Sequence, residues 1–327
     1  MSTTLENDKG SSRYKQPRVD PESLMRIKNL QLRAKVVVEG FYSGLHRSPF
    51  HGFSTEFSEY RQYVQGDDLR YVDWKLYART DRHYIKRFED ETNLRSYLLV
   101  DRSRSMEFGS LSYNKSDYAT TLAATLAYFL NRQRDAVGLL TFGDEIGEFV
   151  PARYRTGHFH RLLVGLETPL SGKSTNLVSP IRQMAELTRR RSLVVLISDL
   201  LADPAGLDKN LGVLRSCGHE IVVFQVLDPA EIDFQFDQPA LFEDLESGKR
   251  LYIDPSTAKQ KYLEGMAAHE SIIRKACENH GIDRFQLRTD QPLEEAMFNF
   301  LQVRQLTGAG VQRHRRNSAT VEKGGSA

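Results

Sequence analysis

The sequence has little cysteine, almost no net charge and no long apolar run. Its two cysteines, Cys217 and Cys277, lie far apart and form no C-x-x-C pair, which excludes a disulfide framework and a zinc motif. Lys and Arg number 45 against 43 Asp and Glu, so the net charge of +2 gives no indication of nucleic-acid binding. The longest aliphatic runs, such as 193–197, are too short to cross a bilayer, and the polar start has no leader-like apolar core. We therefore expect a soluble, cytoplasmic protein without an integral membrane segment.

From residue 96 onward, strand-like apolar runs alternate with helical patterns. The strand-like runs are 97–100, 136–142, 193–198, 221–227 and 284–287. The helical patterns cover 119–130, about 157–166, 178–190, 206–216, 257–280 and 292–304. Alternation of this kind predicts an α/β domain over 96–305, with a mainly parallel sheet and helices on both faces. One segment, 239–255, interrupts the alternation and is typical of a β-hairpin insertion that turns at Ser247-Gly248.

The rest of the chain shows less regular patterns. Residues 1–20 are polar and 306–327 carry Gly, Ser and a short basic cluster, so we expect a flexible arm and a flexible basic tail. Between the arm and the α/β domain, 21–95 indicates an α+β extension. Apolar spacing predicts one amphipathic helix over 22–39 that ends at Gly40, and a short strand near 84–88.

Aspartates follow several of the predicted strands, where an open α/β sheet binds its ligands. Asp228 precedes a proline and Asp290 lies two residues before another, so turn or helix-capping roles explain both of them. Asp101 and Asp199 lack such an explanation. These two aspartates are therefore the candidates for binding chemistry.

Hydroxyl side chains accompany the two aspartates. Ser103 and Ser105 follow Asp101 at two-residue steps, and Thr175 lies in a loop before a helix, upstream of Asp199. In a loop that curls over a strand end, alternate side chains converge on one point. Oxygen ligands with few charges suit a hard cation, so the pattern predicts a site for Mg²⁺, with Mn²⁺ or Ca²⁺ as alternatives.

This pattern resembles a von Willebrand factor type A domain, whose metal-ion-dependent adhesion site has a D-x-S-x-S loop, a threonine and a later aspartate. The preceding segment, GFSTEFSEYRQYVQGDDLRYVDWKLYARTDRHYIKRFEDE, is similar to a bacterial family called domain of unknown function fifty-eight. The first resemblance implies a Rossmann-like fold. The second implies an adaptor or co-chaperone that works with a MoxR-type AAA+ ATPase in assembling or maturing protein complexes. One departure is Leu200, which stands where many A domains have glycine.

The expected function is a non-enzymatic, metal-dependent protein–protein interaction module. An acidic side chain of the ATPase, or of its client, would occupy the open position of the cation. Arg102 and Arg104 alternate with the serines and are candidates to flank that acidic partner. Arg70, Trp74 and Arg79 belong to a charged, aromatic cluster that fits either a docking face or a charge network joining the N-terminal segment to the domain.

Other functions fit the sequence less well. Gly172-Lys173-Ser174-Thr175 resembles the end of a P-loop, but Glu167 stands where the first glycine belongs and the preceding stretch is helical in pattern, which excludes a phosphate cradle. An Mg²⁺-dependent hydrolase at the same loop stays an alternative, although no general base or nucleophile is evident. A scaffold without metal is the other alternative.

Overall fold

The computed structural model describes residues 19–47, 60–62, 77, 79, 84–86, 95–168, 177–188, 190–202, 204, 206–236, 238–243 and 248–302. The predicted arm and tail therefore lie almost entirely outside the described residues. So do Thr175, Arg70 and Trp74. Within the described part, no helix combines the length and the apolar character needed to span a lipid bilayer.

Helices and strands follow one another along the described chain. The helices are α1 (Pro21–Met25), α2 (Leu30–Arg47), α3 (Lys115–Arg132), α4 (His158–Glu167), α5 (Val178–Leu187), α6 (Leu207–Ser216), α7 (Pro229–Asp233), α8 (Pro255–Asn279) and α9 (293–302). The strands are β1 (Tyr60–Gln62), β2 (Tyr84–Lys86), β3 (Arg95–Asp101), β4 (Ala136–Phe142), β5 (Ile146–Arg153), β6 (Leu193–Ser198), β7 (Glu220–Leu227), β8 (Ala240–Glu243), β9 (Arg250–Ile253) and β10 (Asp283–Arg288).

A six-stranded sheet forms the centre of the domain, in the order β10-β7-β6-β3-β4-β5. Neighbouring strands are parallel except at the β4–β5 edge, where the pairing is antiparallel. Strand residues alternate between two apolar cores. Leu98 belongs to the core that includes residues of α2, α3, α4 and α9, whereas Leu99 belongs to the core that includes residues of α5, α6 and α8. The predicted α/β architecture with helices on both faces is thus confirmed.

The hairpin insertion and the short N-terminal strand are also confirmed. Strands β8 and β9 pair antiparallel as a separate two-stranded sheet, and β2 pairs antiparallel with β1. The sequence patterns did not predict β5. This strand lies at the edge of the sheet with its side chains largely exposed or half-buried, so it lacks the continuous apolar run of the central strands.

The prediction of one helix over 22–39 was wrong, because α1 and α2 are separate. Asn29 begins the second helix, since its Oδ1 accepts a hydrogen bond from the Leu32 amide at 2.8 Å. The guanidinium of Arg33 donates to backbone carbonyls of the linking segment and satisfies them. Gly40 does not end the helix. A Cβ at Gly40 would lie 3.2 Å from Glu294 Oε1, so glycine allows a close approach to α9.

Candidate metal centre

Three aspartates lie at the same edge of the sheet, where adjacent parallel strands end. Asp101 is the last residue of β3, Asp199 directly follows β6, and Asp228 directly follows β7. Because β6 lies between β3 and β7, Asp199 is placed between the other two. All three side chains are fully buried.

The loop after Asp101 brings the predicted serines together. A turn of 3-10 helix over Arg104–Glu107 curls the chain over the strand end, and the buried Met106 anchors it in the core. Asp101 Oδ1 accepts a hydrogen bond from the Ser103 amide at 2.9 Å, and the Ser103 and Ser105 hydroxyl oxygens lie 3.0 Å apart. One carboxylate and two hydroxyls of the predicted set therefore lie together.

Ser198 connects the two halves of the site and was not predicted. Its hydroxyl donates to Asp101 Oδ2 at 2.5 Å and accepts a hydrogen bond from the Leu200 amide at 3.0 Å. The signal in the sequence is a lone hydroxyl at the end of an otherwise apolar strand, directly before Asp199. Ser198 thereby fixes the orientation of the Asp101 carboxylate and the start of the loop that carries Asp199.

Leu200 adopts the left-handed backbone region, with φ of +57°. This conformation favours glycine, so a leucine here carries backbone strain. The Leu200 side chain is buried in the core, and its carbonyl accepts a hydrogen bond from His269 Nε2 at 2.7 Å. Burial and this contact with α8 hold the strained turn in place.

The two aspartates repel each other across the site. Burial, followed by the negative charge of Asp199, raises the pKa of Asp101 from 3.8 to about 7, although hydrogen bonds from Ser198 and Ser103 act in the opposite direction. A cation at this edge would relieve the repulsion. Over the described ranges no group of three or more His, Cys, Asp or Glu residues is placed to hold a metal ion. The donors that this edge offers to a cation would be two carboxylates and hydroxyls. This set fits Mg²⁺ better than a soft metal.

Lys115 adds a charge that was not predicted. Its Nζ donates to Asp199 Oδ2 at 2.8 Å and to Glu231 Oε1 at 2.6 Å, and the lysine side chain has no exposed surface. Burial lowers the pKa of Lys115, but the attraction of Asp199 and Glu231 outweighs burial and raises it overall. The signal in the sequence is weak: a lysine in the first turn of α3, where the helix dipole disfavours a cation.

The other two aspartates have the capping and turn roles that were predicted for them. Asp228 begins α7, because its Oδ1 accepts a hydrogen bond from the Ala230 amide at 2.8 Å. The Ser110 amide and hydroxyl also donate to the Asp228 carboxylate. Asp290 lies in the turn after β10 and pairs with Arg288. These contacts give each aspartate a local role in capping or pairing.

The arginines proposed to contact a partner differ in their surroundings. Arg102 Nη1 donates to Thr120 Oγ1 at 2.7 Å, and its Nη2 donates to the Thr168 carbonyl at 2.7 Å, so it braces the loop against α3 and the end of α4. Arg104 and Arg79 are exposed. A role in partner binding stays a prediction for all three.

The chain matches one family model and is similar to several known proteins and solved structures. The model of the family "Protein of unknown function DUF58" matches residues 59–272. The uncharacterized protein Rv1480 of Mycobacterium tuberculosis is 28% identical over 277 residues, which are 83% of this chain and 86% of that protein.

Among solved structures, the conserved hypothetical protein BatB of Bacteroides thetaiotaomicron matches with a TM-score of 0.46 and 12% identity, over 65% of this chain and 99% of its own. The SpRpn10 VWA domain matches with a TM-score of 0.36 and 14% identity, over 62% of this chain and 92% of its own. TM-scores this low carry no argument about function.

Proposed function

The chain belongs to the DUF58 family of proteins of unknown function, and we propose that it is a metal-dependent protein–protein interaction module. One observation carries the proposal. Asp101 and Asp199 are buried close enough for the charge of Asp199 to raise the pKa of Asp101, and two serine hydroxyls lie beside them. Hydroxyls and paired carboxylates at the carboxyl edge of a parallel sheet are suited to holding a hard cation that a partner then completes.

The contacts of the residues support the roles that we propose for them. Asp101 orients the Ser103 backbone and supplies charge, and Ser103 and Ser105 supply neutral oxygens. Thr175, which lies outside the described residues, is the proposed additional ligand. Asp199 contributes charge, and its Oδ1 is held by the Leu201 amide. When bound, Mg²⁺ supplies an electrophilic centre for a carboxylate of the partner.

The proposed partner is a MoxR-type AAA+ ATPase, or a client of that ATPase, that presents a Glu or Asp side chain. The resemblance of the N-terminal segment to its family supports this choice. The exposed Arg104, next to the serines, supports an acidic partner surface, since a rim arginine favours association with negative charge. The proposed role is that of an adaptor in the assembly or maturation of protein complexes.

A pull-down from native lysate tests this function. Wild-type protein, Asp101→Ala and Ser103→Ala are compared in Mg²⁺ and in EDTA. We expect the wild type to retain a partner in Mg²⁺ only, and both variants to lose it. Ser110→Ala is a matched control, because the Ser110 hydroxyl donates to Asp228 at the same edge and Ser110 is not one of the proposed ligands. Retention of the partner in EDTA by the wild type and by both variants, at the level seen in Mg²⁺, would exclude a metal bridge.

A scaffold without metal is the second candidate, and Lys115 favours it. The ammonium already neutralises Asp199, as an ion otherwise would. A scaffold predicts the same partner capture in Mg²⁺ and EDTA. Direct titration with a divalent cation separates the two candidates.

A further inference from the structure

Lys115 is a buried cation that the proposed set of metal ligands does not explain. Its ammonium contacts two carboxylates, Asp199 from the end of β6 and Glu231 from α7, which are 84 and 116 residues away along the chain. Lys115 and Asp199 have no exposed side-chain surface, and Glu231 has 13%. A lysine in the first turn of a helix is unfavourable by itself, so these carboxylates hold it there.

Both carboxylate oxygens of Asp199 accept a hydrogen bond. Its Oδ2 accepts from Lys115, and its Oδ1 accepts from the Leu201 amide at 3.1 Å. Any cation at this edge therefore shares the Asp199 charge with an ammonium that repels it. Asp101 differs in its donors, because its carboxylate accepts hydrogen bonds from two neutral groups, the Ser103 amide and the Ser198 hydroxyl.

We propose that Lys115 is the resident counter-cation of the candidate metal centre and sets its affinity for divalent cations through Asp199. This inference rests on the proposed function and deepens it. With Lys115 in place, Asp199 attracts a divalent ion less strongly than an unpaired carboxylate would. The site thus binds its cation weakly enough for a partner carboxylate to decide whether the ion stays. Glu231 has the opposite effect on cation affinity, because it draws the ammonium away from Asp199.

Two single substitutions are expected to change cation affinity in opposite directions. Lys115→Met removes the repelling charge and leaves Asp199 unpaired, so affinity should rise about tenfold or more. Glu231→Gln leaves the ammonium to Asp199 alone, so affinity should fall several-fold. The probe is Mn²⁺ in calorimetric titration, with Mg²⁺ in parallel and thermal unfolding in EDTA as a second readout. A purely structural lysine would not give affinity changes of opposite sign.

Two further variants distinguish an effect of charge from an effect of lost folding. The double variant Lys115→Met, Glu231→Gln removes one positive and one negative charge together. Residue 231 then has no buried carboxylate that would lack a counter-charge. This double variant should still bind Mn²⁺ more tightly than the wild type. Tyr262→Phe is the matched control, because the Tyr262 hydroxyl donates to the backbone carbonyl of Glu231 at 3.0 Å and removing it changes no charge. Its Mn²⁺ affinity should equal that of the wild type.

The outcomes separate the inference from the proposed function. A site lost in Asp101→Ala and tightened by Lys115→Met supports both. Binding that depends on Asp101 but is unchanged or weakened in both lysine variants overturns the inference alone. If only the lysine variants bind Mn²⁺, the wild type is a scaffold and the ammonium takes the place of the metal, which supports the inference and overturns the metal bridge. Absence of binding in every protein overturns both.

Discussion

Replacing Asp101 by asparagine should stabilise the protein when metal is absent. The folded pKa of this carboxyl is about 7, against 3.8 for an unperturbed aspartate, because of burial and the charge of Asp199. Each pKa unit corresponds to about 1.4 kcal/mol, so ionising Asp101 in the folded protein costs about 4 kcal/mol. An asparagine of the same size cannot ionise, and its amide retains part of the hydrogen bonding to Ser103 and Ser198.

The sign of the pH dependence follows from the two pKa values. Between about pH 4 and pH 7 the unfolded chain has lost this proton while the folded protein keeps it, so stability falls as the pH rises through this window. In EDTA, the wild type should lose stability between pH 4 and pH 8 relative to Asp101→Asn. At pH 8 the variant should be more stable by a few kcal/mol, and saturating Mg²⁺ should reverse the order.

Urea denaturation at pH 5 and pH 8, in EDTA and in Mg²⁺, measures these differences. Asp228→Asn is the control, since Asp228 caps α7 at the same edge and lies outside the proposed ligand set. It should lose stability and show the same response to Mg²⁺ as the wild type. A variant Asp101→Asn that is less stable than the wild type in EDTA at pH 8 would refute the reasoning.

Three other predictions concern stability and reactivity. Leu200 has φ of +57°, so the variant Leu200→Ala should be less stable than Leu200→Gly by about 1 kcal/mol in urea denaturation. Both variants lose the buried side chain, but only glycine relieves the backbone strain. Equal stabilities of the two variants would contradict this. Arg102→Ala should cost about 2 kcal/mol through its lost contacts, yet retain Mg²⁺ binding, and loss of binding in a folded variant would contradict a bracing role. Thiol titration at pH 8 should modify Cys217 and leave Cys277 unreacted until denaturant is added, because burial raises the pKa of Cys277 to about 11.

The central strands were predictable because each is a continuous apolar run. The bounds of β4 and β6 coincide with the predicted runs, since strands buried on both faces are almost entirely apolar. Edge strand β5 lacked that signal. The break between α1 and α2 was missed because it depends on the Asn29 cap and on the reach of the Arg33 side chain, which apolar periodicity does not record.

The candidate site was predictable only in part. Asp101 and the serines were found because they follow one another along the chain at fixed spacing, directly after a strand. Lys115 and Glu231 were missed because their contacts with each other and with Asp199 join distant segments. Candidate ligands within one loop can be recognised from their short spacing along the sequence. Counter-charges that come from distant segments can be recognised only in the three-dimensional structure.

Water-proton relaxation with Mn²⁺ tests the central claim most directly, because the signal reports both binding of the ion and the waters it retains. The wild type should give an enhancement that is absent in Asp101→Ala. A captured acidic partner should reduce it by displacing water from the open position. No enhancement with the wild type, or an equal enhancement with Asp101→Ala, would contradict a cation site formed by Asp101 and its neighbouring serines.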